Sequence, residues 1–509
     1  MTAQASLPAR SPRRRRAATL AVAVTVGALL LAACGSRIAP EQVLGAGGVA
    51  GAGSQAGVLE GGDSSFDGSD PAAGGDAGSV SGGGGGAEPG SSGDGSGGSS
   101  GGSSGGGSGG GDAPSGEGEN SATGGTKAAS CAGFKNQTGM TNDRITLANV
   151  ADVSGPVPGI FESARQGARA YAAYFNASSD LCGRKLEILA LDSRADAGAD
   201  QQAYTRACTD AFAAVGSMSA FDSGGAGAAE RCGLPDVRST AVTKQRGECK
   251  TCFSAQPVRP NLVGDAMPKF FQRTNREATQ NVGLVFINAG AAPDSAESMR
   301  RAWTKSGWKV KYFQGIDIAE FNYAPYVQKF KDNGVQMVVY IGNYQNTVKL
   351  QQAMKQQSYK PKVFLQDGTV YDSRYVEQAG DLAEGTYSYI AWEMFEDERV
   401  KEMVLYRQWL NQIDPGAVPT GFGLFAWSAS RLFVEEARKL GGKLTRASLV
   451  DGLGKVRAWD ANGLHVPQAV GPKTTTPCAK IIQFRGGKWQ QLSRGKFECG
   501  RLVDSGFSG

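Results

Sequence analysis

From Ile145 onward, short apolar runs alternate with stretches of helical spacing, and the alternation starts over at Asn281. Ile145–Val150 reads as a strand that ends in the loop Asp152–Gly159. Glu162–Asn176 reads as a helix, with Ala164, Ala168, Tyr171, Ala172 and Phe175 on one face. Leu186–Leu191, a helix over Ala199–Ala213, the run Ala214-Val215 and the strand Asp236–Thr240 complete the first series. The second runs through strands at Asn281–Ile287, Lys309–Phe313, Met337–Ile341 and Lys362–Gln366, with helices at Ser295–Ser306, Tyr326–Asn333 and Thr347–Gln357 between them. Strands alternating with helices predict an α/β fold of parallel sheets flanked by helices. Two such series predict two Rossmann-like lobes, with a ligand cleft where the carboxyl ends of the strands face each other.

A different composition precedes this body. Residues 35–128 hold 35 Gly and 17 Ser, and their only aromatic is Phe66. Such a segment buries too little apolar surface to offset the entropy of ordering, so it reads as a disordered tether. As a Gly/Ser chain it has a root-mean-square reach of about 55 Å. Its eleven acids against Arg37 and Lys127 give −9. Residues 1–34 carry five Arg and no acid, so the formal charge of +5 leaves +9 for residues 129–509. That excess is modest and gives no argument for a nucleic-acid partner.

Arg13–Arg16 followed by the apolar run Ala17–Ala33 has the form of an export signal spanning 1–34. The arginines suit either the general or the twin-arginine exporter. Leu31-Ala32-Ala33-Cys34-Gly35 resembles a bacterial lipobox, which implies lipidation at Cys34 and a membrane partnership through several acyl chains. The predicted location is therefore the outer face of the cytoplasmic membrane. Eight further cysteines, an even set, are expected to form up to four disulfides in that oxidising compartment. Cys478 and Cys499 flank a hairpin pattern and make the best pair; Cys249 and Cys252 read as structural. With one histidine in the chain, His-based catalysis and His-rich metal sites are poor readings, and His465 is expected at the surface.

Several markers then fall in a telling order: Ser154-Gly-Pro156, Gly167-Ala168, Cys182-Gly-Arg-Lys-Leu-Glu187, Gly315-Ile316, Asp367-Gly368, Gly463-Leu464 and Ile482–Trp489. Residues 143–500 resemble a type I periplasmic binding protein of the leucine/isoleucine/valine-binding branch that serves ABC importers. The resemblance implies two lobes joined by three crossover strands. Lobe 1 is expected over 129–260 plus 388–466 and lobe 2 over 261–387 plus 467–509. It also implies a small-molecule solute held by cleft closure, an ABC permease as partner, and no catalysis, metal or cofactor. An amino acid or related solute is the first expectation; amides, urea-like solutes and small aromatic acids compete. A sensing receptor of the same fold is the alternative function.

The resemblance carries over to individual residues. Thr243 falls on the family's carboxylate-binding Thr, with Ala241 beside it. Ala220 stands where a carboxylate-binding Ser is common, with Ser219, Asp222 and Ser223 near enough to substitute, although Asp222 would repel a carboxylate. Asp367 falls on the lobe-2 acid that holds an ammonium, and Ala291 where an aromatic often covers the ligand. Ser154, Phe161 and Tyr344 join the candidates from strand-end loops. Each has a plainer role open to it: a helix cap for Ser154, core for Phe161, interlobe packing for Tyr344, a turn for Asp367.

Overall fold

The computed structural model describes residues 127–508. The leader expected over 1–34, Cys34 within it, and all but the last two residues of the 35–128 tether lie outside the described residues. The first lobe begins with β1 (Arg144–Ala151), α1 (Glu162–Ser178), β2 (Lys185–Asp192), α2 (Ala197–Asp210), β3 (Ala213–Val215), α3 (Ser223–Arg231), β4 (Asp236–Thr240), α4 (Lys244–Glu248) and β5 (Cys252–Gln256). The five strands form one parallel sheet in the order β2-β1-β3-β4-β5. Helices cover both faces, so β3 and β4 are buried along their whole length. The helix expected to run to Ala213 stops at Asp210, because Ala211 turns extended and feeds β3.

The second lobe repeats the plan. Its elements are β6 (Leu262–Gly264), α5 (Ala266–Thr274), α6 (Arg276–Thr279), β7 (Val282–Ile287), α7 (Ala292–Lys305), β8 (Val310–Ile316), α8 (Ala324–Asp332), β9 (Met337–Ile341), α9 (Tyr344–Gln356), β10 (Val363–Asp367), α10 (Ser373–Ala379) and β11 (Tyr387–Ile390). The chain then returns to the first lobe as α11 (Lys401–Ile413), α12 (Gly421–Leu440) and α13 (Arg446–Leu453). It ends in β12 (Cys478–Arg485), β13 (Lys488–Gln491), β14 (Glu498–Cys499) and β15 (Leu502–Asp504). The second sheet is ordered β13-β12-β11-β10-β9-β7-β8, with β14 on β12, and β15 pairs with β6. In both sheets the first strand of the series lies between the second and the third. That reversal opens a crevice at the carboxyl ends of β1 and β3, and of β7 and β9.

Helix α12 anchors the first lobe. Thr420 caps it by accepting from the Gly423 N–H at 3.2 Å, and its apolar stripe, Leu424 to Val434, is fully buried. It packs against α1 and α11, where Tyr171, Tyr174, Tyr406 and Trp427 form an aromatic cluster. Within it Arg431 makes two 2.8 Å bonds to the buried Glu402 carboxylate.

The lobes are joined by segments 257–261, 391–400 and 454–477, and Trp392 bridges to His465 between the last two. His465 is not at the surface. It is 1% exposed, with Nε2 2.8 Å from the Ser428 hydroxyl and Nδ1 2.9 Å from the Val466 carbonyl. Burial beside the Phe425 ring outweighs the polar pattern of its neighbours in the sequence. The eight described cysteines form the disulfides Cys131–Cys182, Cys208–Cys232, Cys249–Cys252 and Cys478–Cys499. The last pairs the register partners of β12 and β14.

Candidate functional site

The carboxyl ends of the two sheets meet. The Ala291 N–H, at the start of α7, donates to the Ala220 carbonyl after β3 at 3.1 Å. Gly290 makes this approach possible: its φ is +56°, and a Cβ there would stand 2.7 Å from the Ala220 oxygen. At the other side, the Trp392 ring fills the space between Gly368 and Gly421. A Cβ on either glycine would come within 2.2 Å and 2.5 Å of the ring. The cleft is thus bounded by a backbone contact between small residues and by an aromatic wedge in the hinge.

Three aspartates shape its first-lobe wall. Asp152, after β1, is fully buried. It accepts from the Ser193 hydroxyl at 2.5 Å, the Ala195 N–H at 2.9 Å and the Ala220 N–H at 2.8 Å, tying the ends of β1, β2 and β3 together. Asp192, at the end of β2, is half-buried and accepts from the Val153 N–H at 3.1 Å and the Ser154 hydroxyl at 2.6 Å. Burial raises its carboxyl, but the bonds from Ser154, Val153 and Arg194 outweigh that and hold it below the usual carboxylate range. Asp222, fully buried, accepts from the Val242 N–H at 3.0 Å, the Thr243 N–H at 3.2 Å and the Thr243 hydroxyl at 2.5 Å, with Arg238 Nε at 3.7 Å.

Between these polar anchors the wall is apolar. Phe161, buried, meets Phe422 edge to face with centroids 4.8 Å apart. Val153, Ile160, Ala220, Val242 and Phe422 are half-buried around Phe161 and Met218. On the second lobe Asp367 ends β10. Its Oδ1 accepts from the Thr369 N–H at 3.0 Å and hydroxyl at 2.6 Å. Oδ2 has no hydrogen-bond partner among the described residues. Burial raises this carboxyl, against the lowering effect of the Thr369 bonds. Tyr344 begins α9 and is half-buried; the Arg374 guanidinium lies 5.6 Å over its ring, and burial raises its hydroxyl pKa.

All seven residues singled out from the sequence therefore sit at carboxyl ends of strands, but their side chains are differently committed. The Ser154 hydroxyl is spent on Asp192. Ser219 is fully buried and accepts from the Phe221 N–H, and Ala241 is 7% exposed. The Thr243 hydroxyl caps α4 while donating to Asp222. Phe161 belongs to the apolar wall. Asp367 and Tyr344 keep polar or aromatic surface available. Sequence reasoning missed Asp152, Asp192 and Trp392; an acid directly following a strand was the available signal for the first two.

A family model described as "periplasmic binding protein" matches residues 144–485. The chain belongs to the periplasmic binding proteins. Its α/β architecture of parallel sheets and flanking helices is the type I fold of that family. A fatty acid ABC transporter substrate-binding protein from Thermomonospora curvata is 15% identical, with TM-score 0.61, over 73% of this chain and 95% of that one. The branched-chain amino acid transporter substrate-binding protein LivJ from Streptococcus pneumoniae, in complex with isoleucine, is 15% identical, with TM-score 0.59, over 69% and 99%. An R. palustris solute-binding protein in complex with 4-hydroxybenzoate is 16% identical, with TM-score 0.58, over 72% and 100%. No curated protein matches the chain in sequence. Among the described residues of this periplasmic binding protein, no helix is long and apolar enough to cross a membrane, and no group of three or more His, Cys, Asp or Glu residues has metal-site geometry.

Proposed function

We propose that this chain is a lipid-anchored extracytoplasmic solute-binding protein that delivers a small molecule, an amino acid or related solute, to an ABC permease. The observation that carries the reading is the pair of strand-end walls meeting at Ala220 and Ala291, with an apolar patch on one side and the free Asp367 oxygen on the other. A solute between them gains contacts with both lobes only when the cleft is shut, so binding drives closure. The bound amino acid and the aromatic acid in the structural relatives support a solute of this size.

On this reading lobe 1 comprises 129–256 plus 401–453 and lobe 2 comprises 262–390 plus 478–508, the boundary expected at 387/388 moving past β11 because that strand pairs with β10 and β12, and no bond in the solute is broken. Phe161 backs the apolar wall, Asp367 receives a donor group and Tyr344 supplies its hydroxyl or a ring face. Cys34 carries the lipid and residues 35–128 serve as the tether. A thermal-shift screen of amino acids, amides and small acids on the full chain tests the reading. Ligand that binds only the folded state raises Tm according to its affinity and concentration. At least one compound should do so and be recovered unaltered; conversion of the compound would contradict the reading.

A further inference from the structure

We propose that the first-lobe half of this cleft excludes carboxylates, so the solute carries an amine or amide where an amino acid carries its acid group. The inference rests on the solute-binding reading above and narrows its substrate class.

Binding a carboxylate requires converging N–H or O–H donors. The first-lobe strand ends hold such donors, and nearly all are taken. The N–H groups of Val153 and Ser154 and the Ser154 hydroxyl go to Asp192. The Ala220 N–H goes to Asp152, and the Phe221 N–H to the Ser219 oxygen. The Val242 N–H, the Thr243 N–H and the Thr243 hydroxyl converge on Asp222. Asp222 thus occupies, as a built-in carboxylate, the donor set at Thr243 that a solute carboxylate would need.

It cannot easily vacate that position. It is fully buried, and Arg238, also fully buried, stands 3.7 Å away as its counter-charge. Displacing it would separate two buried opposite charges and leave Arg238 with Asp236 alone, at 3.5 Å. A solute carboxylate beside it would add a like charge to a wall that already holds Asp152 and Asp192. On the first lobe the Asp192 carboxylate is itself shared among the Val153, Ser154 and Arg194 donors; on the second, Asp367 Oδ2 remains as an acceptor and the Tyr344 hydroxyl as a group that donates or accepts. A first wall with its donors spent and lined with carboxylates, an apolar patch and a free acceptor at Asp367 together select an apolar body bearing N–H donors.

Two experiments on the full chain test this. The first compares matched probes by calorimetry: leucine, leucinamide, isopentylamine and 4-methylpentanoate, with the phenylalanine and phenylalaninamide pair. The amides or amines should bind at least tenfold more tightly than their acids. Acids binding as well as amides would overturn the proposal while leaving the solute-binding reading intact; silence from every probe and from the wider screen would overturn both. The second needs no solute. Asp222→Ala should lower Tm, and acetate or formate should restore part of the loss in the variant without stabilising the wild type. Equal effects of acetate on both chains would overturn the proposal alone. Should Asp222→Ala not fold, Asp222→Asn keeps the shape and drops the charge. It should narrow the preference for leucinamide over leucine, and an unchanged preference would refute the exclusion.

Discussion

His465 is the chain's single histidine, and its surroundings fix how stability must depend on pH. Trp459 Nε1 donates to the Ser428 oxygen at 2.8 Å, which leaves the Ser428 hydrogen for His465 Nε2; Nδ1–H then donates to the Val466 carbonyl. The network fits the neutral ring. Protonation would make Nε2 a second donor to the Ser428 oxygen and take away the acceptor of the Ser428 hydrogen, inside a site that is 1% exposed. Burial accordingly lowers the pKa from 6.5 to about 4. Between those values the unfolded chain takes up a proton that the folded chain refuses, so stability falls as pH drops from about 6.5 towards 4 and then levels. The displacement is worth roughly 3 kcal/mol. Asp200 acts in the opposite sense, because burial raises its folded pKa to about 6, but it is common to wild type and variant. Urea unfolding of wild type and His465→Gln at pH 7, 6, 5 and 4 isolates the histidine as the difference between the two profiles. The wild type should lose roughly 3 kcal/mol more than the variant, and the lone imidazole NMR signal should titrate well below 6.5. Parallel profiles, or a folded-state midpoint near 6.5, would refute the reasoning.

Asp367→Ala should weaken binding of a cationic solute by about 2–5 kcal/mol, the range for removing one partner of a buried charge pair; calorimetry showing equal affinity would take Asp367 out of the site. Glu402→Ala removes the acceptor of Arg431, Trp427 and Asn462 and strips the buried guanidinium of its two 2.8 Å carboxylate bonds, leaving Glu435 at 3.5 Å as a weaker partner. It should cost about 3–5 kcal/mol in denaturant unfolding, and a loss below about 1 kcal/mol would show that the pair is solvated. Cys34→Ala should release the protein from membranes in a fractionation assay, and unchanged membrane retention with continued lipid labelling would refute the lipobox reading.

The strands were legible because the sheet is covered on both faces. Val282–Ile287 and Met337–Ile341 are buried at every position and read as unbroken apolar runs. Asp236–Thr240 is equally buried but carries Asp236 and Arg238, and only Pro235 before it gave the boundary. The short β5 escaped notice, since Cys252–Gln256 has neither a clean alternation nor an apolar run. Position at strand ends was legible for the candidate site residues; their hydrogen bonds were not. Asp222 looked like a charge facing the ligand, whereas Arg238, Val242 and Thr243 turn it inward. His465 was misread because Ser428 and Phe425, which flank its ring, lie far back in the sequence on α12. Spatial partners of this kind are set by the packing of helices and crossover segments, which a single chain of letters does not record.

The most direct test of closure around a solute is an interlobe distance. Spin labels introduced as unnatural amino acids at the exposed positions Gln201 on α2 and Lys349 on α9 leave the disulfides untouched. Pulsed electron resonance should show a broad distance distribution without solute that narrows and shifts when a compound from the thermal-shift screen is added. A distribution identical with and without bound solute would contradict the account.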